Sequence, residues 1–254
     1  MKTERPYITI IIPCYNEKEN LERGVLGEVA NFLQGQNFTW EVIISDDGST
    51  DDSRQLTKTF VKDKKNFWLL ENKHGGKPAA VWSGIQKSKG EFILFTDMDQ
   101  STPLKEVQKL TPFLKDYEVV IGSRGLERKN FSIFRKIGSA IFRNFRKAIL
   151  LRGIDDTQCG FKLFKGQVAR EVFPKLQFFQ HFEKITGWKV TSFDVELLFL
   201  AEKMGHKIKE VPVEWLDRDV SKGKNRSYLK ESKEMVEQIV RVKLNDITGK
   251  YDPT

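Results

Sequence analysis

Apolar positions in the first half of the chain fall in short runs, each closed by a polar turn and followed by residues at helical spacing. Ile8 to Ile12 is the first run, interrupted only by Thr9, and it ends at Pro13-Cys14-Tyr15-Asn16-Glu17 before an amphipathic stretch from Lys18 to Leu33. Trp40 to Ile44 is the second, closed by Ser45-Asp46-Asp47-Gly48-Ser49-Thr50-Asp51 and followed by a polar helix to about Val61. Phe67 to Leu70 leads into Asn72-Lys73-His74-Gly75-Gly76-Lys77-Pro78 and a helix from Ala79 to Lys87, with Gly90 as its stop signal. Phe92 to Thr96 ends at Asp97-Met98-Asp99, and Glu118 to Ile121 ends at Gly122-Ser123-Arg124. Short apolar runs bounded by turn signals read as buried strands. Strands that alternate with helices predict βαβ units and an α/β fold with a mainly parallel sheet flanked by helices. Each polar cluster lies after a strand and before a helix. All of them therefore share one edge of the sheet, where ligands bind in the crevice beyond the carboxyl ends of the strands.

Asp97 and Asp99 are the sharpest chemical signal on that edge. Two carboxylates at i, i+2 can grip a hard divalent cation that in turn holds phosphate oxygens. They can equally cap the helix that starts near Pro103. Asp46 to Ser49 reads singly as a turn with an N-cap, and Gly75-Gly76-Lys77 as a loop without P-loop spacing. No Gly-x-Gly-x-x-Gly follows the first strand, which excludes the usual dinucleotide fingerprint. It is the order of these clusters along one edge that points to a binding site.

The chain has 254 residues, enough for one sizeable core, and is expected to form a single domain. Cys14 and Cys159 are too few for a disulfide framework, which fits a reducing cytoplasm. No apolar run approaches the ~18 residues of a membrane span, and no secretory signal is evident. Lys62-Asp63-Lys64-Lys65 reads as a solvated helix end, Tyr228 to Leu244 as a charged amphipathic helix, and Tyr251 to Thr254 as a fraying end. The net charge of +8 is concentrated: Ser123 to Arg152 holds nine basic residues against one acid, Glu127, a difference equal to the whole excess. On a helical wheel Arg135, Lys136, Arg143, Arg146 and Lys147 share one arc, opposite Phe134, Ile137, Ile141, Phe142, Phe145, Ala148 and Ile149. Such a helix, over about residues 131–151, suits an anionic membrane surface or a partner; it suits equally a helix that packs its apolar face on the sheet. A nucleic-acid module would carry similar charge, but no stacking aromatics or recognised motif accompany it.

Pro13-x-Tyr15-Asn16-Glu17, Asp46-Asp47-Gly48-Ser49-x-Asp51, Asp97-x-Asp99 and Gly122-Ser123-Arg124 together resemble the family 2 glycosyltransferases. Within that family, Asp156-Thr157-Gln158-Cys159-Gly160-Phe161-Lys162-Leu163-Phe164 and Phe193-Asp194-Val195-Glu196-Leu197-Leu198, followed by Glu210-Val211-Pro212-Val213, resemble the polyprenyl-phosphate (dolichyl-phosphate) glucosyl and mannosyl synthases. The resemblance spans roughly Tyr7 to Leu216. It implies a GT-A-type, Rossmann-like sheet with a nucleotide-sugar site, a donor part over about 7–124 and an acceptor side over about 152–245. Pro13, Tyr15 and Glu17 would line the nucleoside pocket, and Asp47 would bond the base with main-chain help near Ser45. Lys77, Asp97, Met98 and Lys224 would complete the donor contacts. Asp99, with Asp97 and Ser101, would hold a divalent cation, Mg²⁺ or Mn²⁺; Ser101 stands where relatives carry a carboxamide. Arg124 would neutralise phosphate charge, and Arg128, Arg135, Arg143, Arg146 and Lys147 would meet the acceptor and its membrane.

The reaction so implied is inverting transfer of a hexose from a nucleoside-diphosphate sugar, UDP-glucose ahead of GDP-mannose, to a polyprenyl or dolichyl phosphate. Acceptor phosphate is already anionic and needs little base; a hydroxyl acceptor would need one, for which Asp194 or Glu196 is placed at a helix start. Gln-x-x-Arg-Trp, the signature of processive relatives, is missing from Glu214-Trp215-Leu216-Asp217-Arg218, which favours single transfer. Expected partners are the nucleotide sugar, the polyprenyl phosphate, an anionic membrane surface on the cytoplasmic side and a separate integral membrane subunit, with no nucleic acid. Transfer to a soluble or protein hydroxyl, and an inactive membrane-binding scaffold, are the competing functions.

Overall fold

The computed structural model describes residues 5–125, 150–151, 153–179, 193–221 and 228–252, with side chains of the last helix from residue 236 onward. The predicted basic helix with Arg128, Arg135, Arg143, Arg146 and Lys147, and the donor candidate Lys224, lie outside the described residues. Among the described residues the seven strands are β1 (Ile8–Cys14), β2 (Trp40–Asp46), β3 (Phe67–Glu71), β4 (Phe92–Phe95), β5 (Val119–Ser123), β6 (Lys162–Lys165) and β7 (Ile208–Pro212). They form one sheet in the order β3-β2-β1-β4-β6-β5-β7. β6 runs antiparallel to both β4 and β5, and the other pairings are parallel, as the alternating pattern predicted.

Among the described residues the α-helices are α1 (Lys18–Glu22), α2 (Val25–Gln34), α3 (Ser53–Val61), α4 (Lys77–Lys87), α5 (Val107–Leu110), α6 (Gly166–Val172), α7 (Phe193–Lys203) and α8 (Tyr228–Ile247). The single helix expected from Lys18 to Leu33 is two helices, because Gly24 adopts φ +86° and breaks the run.

Alternation along the strands sorts the core into two layers. Ile8, Ile10 and Ile12 of β1 pack with Val25, Leu26, Val29 and Leu33 of α2 on one face. Ile11, with Ile93, Phe95 and Phe164 from neighbouring strands, packs on the other face against Val81 and Ile85 of α4 and the apolar length of α7. A strand that is buried on both faces reads as a continuous apolar run, which is why β1 and β2 stand out in the sequence. Tyr251, at the start of the end expected to fray, is anchored: its hydroxyl donates to Glu196 Oε1 at 2.8 Å, and its ring packs on Phe199.

Candidate active site

The turns after β1, β2, β4 and β5 converge at one edge, since Pro13 is in register with Ser45 and β1 pairs β4 directly. At its centre Asp97 and Asp99 follow β4. Lys77, at the start of α4, places Nζ 2.5 Å from Asp97 Oδ1. Burial opposes the Asp97 charge, but Lys77, with Lys162 and Arg124 behind it, outweighs burial and holds the carboxyl below the usual range. Burial likewise opposes the Lys77 charge, and Asp97 reverses that so that the ammonium is stabilised. Asp99 moves the other way: burial first, then the Asp97 charge, raises its carboxyl, against a 2.8 Å hydrogen bond from the Ser101 N–H. Two neighbouring carboxylates are thus pushed apart in acidity by their surroundings. The main chain at Gly160 lies against the Asp97 carboxylate so closely that a Cβ there would sit 2.5 Å from Asp97 Cγ. Only glycine fits.

The donor candidates after β1 and β2 divide into those that face the crevice and those that build its wall. Tyr15 stacks on His74 with ring centroids 4.4 Å apart and planes at 21°, a flat aromatic surface beside the turn. Asp47, expected to bond a base, is fully buried and spends its oxygens on the glycine loop: Gly75 N–H donates to Oδ1 and Gly76 N–H to Oδ2, each at 2.8 Å, and His74 Nδ1 lies 2.8 Å from Oδ2. Burial raises the Asp47 carboxyl despite those partners. Gly48 has φ +75° and no room for a Cβ against the His74 main chain, so this loop closes on itself. Ser45 is buried, and its hydroxyl donates to Ala80 O at 2.7 Å, tying β2 to α4. Glu17 is buried and accepts from Asn20 Nδ2 at 2.7 Å, and Pro13 is buried within β1. Met98 turns into the core beneath β1 and β4 with 3% exposure, so its side chain belongs to the packing and not to the crevice wall.

On the far side of the crevice, where the acceptor was expected, Arg124 pairs bidentately with Asp156, Nε to Oδ2 at 2.7 Å and Nη2 to Oδ1 at 2.8 Å, and lies over the Trp215 ring. Burial opposes the Asp156 charge, but this fork outweighs it and depresses the carboxyl strongly. Glu210 of β7 fixes Asp156 in turn by accepting the N–H groups of Asp155 and Asp156 at 2.6 and 2.7 Å. Asp194 is bound to Lys162 Nζ at 2.5 Å, and that fully buried ammonium also donates to Cys159 O at 2.6 Å. Glu196, the other base candidate, is buried and accepts from Gln177 N–H and the Tyr251 hydroxyl, both at 2.8 Å. Burial raises its carboxyl. Both candidates for activating a hydroxyl are therefore engaged below the surface.

Residues 213–221 cross the turn from outside. Leu216 N–H donates to Ser101 O at 2.8 Å and Arg218 N–H to Ser101 Oγ at 3.2 Å, so the Ser101 hydroxyl proposed as a metal ligand sits 7% exposed in a junction. Asp219 accepts from Asn20 Nδ2 at 3.0 Å and is near enough to raise Asp99 further. Among the described residues no cluster of three or more His, Cys, Asp or Glu forms a ready-made metal cage. A hard cation such as Mg²⁺ is commonly held by one or two carboxylates and completed by substrate phosphates and water. Asp99, raised by burial and then by its acidic neighbours, is the donor whose ionised form such a cation would stabilise. The residues fit the group.

His74, Asp156, Gly160, Lys162, Glu210 and Asp219 carry the geometry without having been assigned roles from sequence. Asp156, Gly160, Lys162 and Glu210 at least lie in motifs that carried the family resemblance. Asp219 has no local signal, because its partner Asn20 is distant in the chain.

Residues 9–173 match the family model described as glycosyl transferase family 2. The chain belongs to that family. This glycosyltransferase is 34% identical over 262 residues to a dolichyl-phosphate beta-glucosyltransferase of Dictyostelium discoideum, covering 96% of this chain and 76% of the relative. It is 33% identical to the human protein of the same description, over 85% of this chain and 69% of the relative. Among solved structures it superposes with TM-score 0.60 and 18% identity on the mannosyltransferase PcManGT of Pyrobaculum calidifontis in complex with GDP-Man and Mn²⁺, over 94% of this chain and 65% of that one. Glucosyl-3-phosphoglycerate synthase of Mycobacterium tuberculosis, with Mn²⁺, UDP-glucose and phosphoglyceric acid, also gives 0.60 at 17% identity, over 95% and 79%. The glycosyltransferase thus has the expected GT-A fold.

Proposed function

We propose that this glycosyltransferase moves glucose from UDP-glucose to the phosphate of a polyprenyl phosphate of the dolichyl type, with inversion and with a divalent cation. The similarity to dolichyl-phosphate beta-glucosyltransferases over most of the chain supports the substrates. The observation that carries the acceptor choice is the state of Asp194 and Glu196. A hydroxyl acceptor needs a base in reach, and these two carboxylates are committed to Lys162 and to Gln177 and Tyr251. A phosphate oxygen is already anionic and attacks C1 directly as the C1–O bond to the diphosphate breaks. One displacement on an α-linked donor yields a β product.

The chain's own groups divide the work. Tyr15 and His74 offer the base a stacking surface worth about 1–3 kcal/mol by analogy with other base–aromatic contacts. Asp97 and Asp99, with Ser101 behind them, would hold a divalent cation, which when bound supplies electrostatic stabilisation of the leaving diphosphate. Lys77 and Arg124 add fixed positive charge on either side of the turn. Arg124, oriented by Asp156 and Trp215, draws the acceptor phosphate toward C1. Peripheral attachment to the cytoplasmic face of a membrane through the basic residues from Arg124 to Lys147, and an integral membrane subunit, complete the reading. Among the described residues no helix is long and apolar enough to cross a membrane.

Incubation with UDP-[¹⁴C]glucose, Mn²⁺ and a short polyprenyl phosphate, followed by extraction into organic solvent, tests the reading. Label in the organic phase, dependent on the polyprenyl phosphate and released by mild acid as glucose, is the expected result. Label that stays in a water-soluble glycoside, or transfer from GDP-mannose alone, would overturn it.

A further inference from the structure

We propose that Arg23 is a positioning residue for the Asp97–Asp99 turn and couples it to the segment 213–221, an inference that rests on reading that turn as the cation and diphosphate site. Arg23 follows α1, and its Nη2 donates to the main-chain carbonyl of Asp99 at 2.8 Å. Its Nη1 lies 3.6 Å from Glu28 Oε1, the same oxygen that accepts Arg218 Nη2 at 2.8 Å. Arg218 N–H donates to Ser101 Oγ, and Ser101 N–H donates to Asp99 Oδ1. The path from the Asp99 carbonyl through Arg23, Glu28, Arg218 and Ser101 thus returns to the Asp99 carboxylate as a closed ring.

Two further observations show that the turn needs such a holder. Gln100, between Asp99 and Ser101, has φ +49°, a left-handed conformation rare for a residue with a side chain and frequent at functional turns. Its Nε2 donates to Asp97 O at 2.8 Å, so the carbonyls of both Asp97 and Asp99 are gripped by side chains. Arg23 Nε is buried with no partner among the described residues. A guanidinium with a buried, unsatisfied N–H is a poor choice for stability alone. Asn20 adds a parallel tie, donating to Glu17 and to Asp219 and accepting Val220 N–H. The consequence is that the position of the Asp99 carboxylate and the order of residues 213–221 rise and fall together.

The experiment measures Mn²⁺ binding in the presence of UDP by electron paramagnetic resonance, together with residue-resolved amide exchange, without turnover. Arg23→Gln is expected to weaken Mn²⁺ binding by about 10- to 100-fold, the usual effect of losing an outer-shell partner, at a nearly unchanged melting midpoint. It is also expected to speed exchange at the Leu216 and Arg218 amides, which Arg23 does not touch. Glu28→Gln, which leaves Arg23 on the Asp99 carbonyl and removes the charge that pairs with Arg218, is expected to speed exchange at Arg218 with a smaller loss of Mn²⁺ binding. Asp99→Ala is the control. Wild-type Mn²⁺ binding in Asp99→Ala would overturn the reading of the turn itself. Loss in Asp99→Ala, with wild-type binding in Arg23→Gln or unchanged exchange at Arg218 in Glu28→Gln, would overturn the coupling alone.

Discussion

Gly160→Ala isolates one contact at the heart of the site. The three atoms nearest a Cβ at this position all belong to the Asp97 carboxylate, with Cγ at 2.5 Å, whereas ordinary contact begins near 3.4 Å. The carboxylate must therefore swing by roughly 1 Å, and misplacement of that size can cost about 100-fold in rate. Lys77 is poorly placed to follow, because its side chain is 9% exposed at the start of α4. Overpacking of this kind costs about 1–3 kcal/mol of stability. Denaturant unfolding and turnover with UDP-glucose measure the two effects separately. The decisive comparison is the double mutant: in an Asp97→Ala background the clashing atoms are gone, so Gly160→Ala should cost less than about 0.5 kcal/mol, the failure of additivity expected of residues in contact. An equal stability cost in both backgrounds, or a turnover near wild type in the single mutant, would refute the close approach as the reason for glycine.

Other perturbations probe the neighbouring charges. Asp194→Asn leaves the buried Lys162 charge uncompensated and is expected to cost about 3–5 kcal/mol, with turnover per folded molecule nearly kept; unchanged stability with a collapse of turnover would restore Asp194 as a base. The Asp156 carboxyl is depressed in the fold, so its stabilisation is complete above its unfolded value, about pH 4, and is lost as pH falls toward the native value. The stability gap between wild type and Asp156→Asn should be constant from about pH 5 to 7 and close on further acidification; a gap that widens in acid would contradict the ion pair. Replacing Arg143, Arg146 and Lys147 with Gln should release the protein from anionic liposomes, each charge contributing about 1 kcal/mol near the surface, and high salt should mimic the loss. Equal flotation of wild type and variant would end the membrane-docking idea.

Strands β1 to β5 were legible because each is an apolar run that stops at a polar turn, and the placement of every turn on one edge followed from alternation with helices. β6 and β7 were not, for a physical reason. β6 starts with Lys162, a lysine at 0% exposure that no local pattern marks as core, and its burial is made tolerable only by Asp194, which lies on α7. β7 reads Ile208-Lys209-Glu210, polar because Glu210 is spent on the amides of residues 155 and 156. Asp97 and Asp99 were found as a pair, but burial and charges from elsewhere in the chain, Lys77 on Asp97 and Asp219 on Asp99, set the opposite shifts of their acidity. Asp47 read as a ligand contact in an acidic turn, and its hydrogen bonds from the amides of Gly75 and Gly76 were not legible, because they join turns that are distant in the chain.

The reversed strand β6 also bears on how the molecule is made. β4 and β5 are consecutive in the chain but not adjacent in the sheet; β6 separates them and is synthesised later. A chain emerging from the ribosome can complete the four strands β3-β2-β1-β4 early, because their pairings join segments already present. β5 then has no neighbour to join until β6 arrives, and β4 meanwhile presents an open strand edge, the kind of edge that pairs with other chains. Non-local strand pairing is slow as well as exposed. Nascent chains stalled between β5 and β6 should therefore be the aggregation-prone species in the biogenesis of this enzyme, with the turns after β1, β2 and β4 already in place and the Arg124–Asp156 side of the crevice still missing.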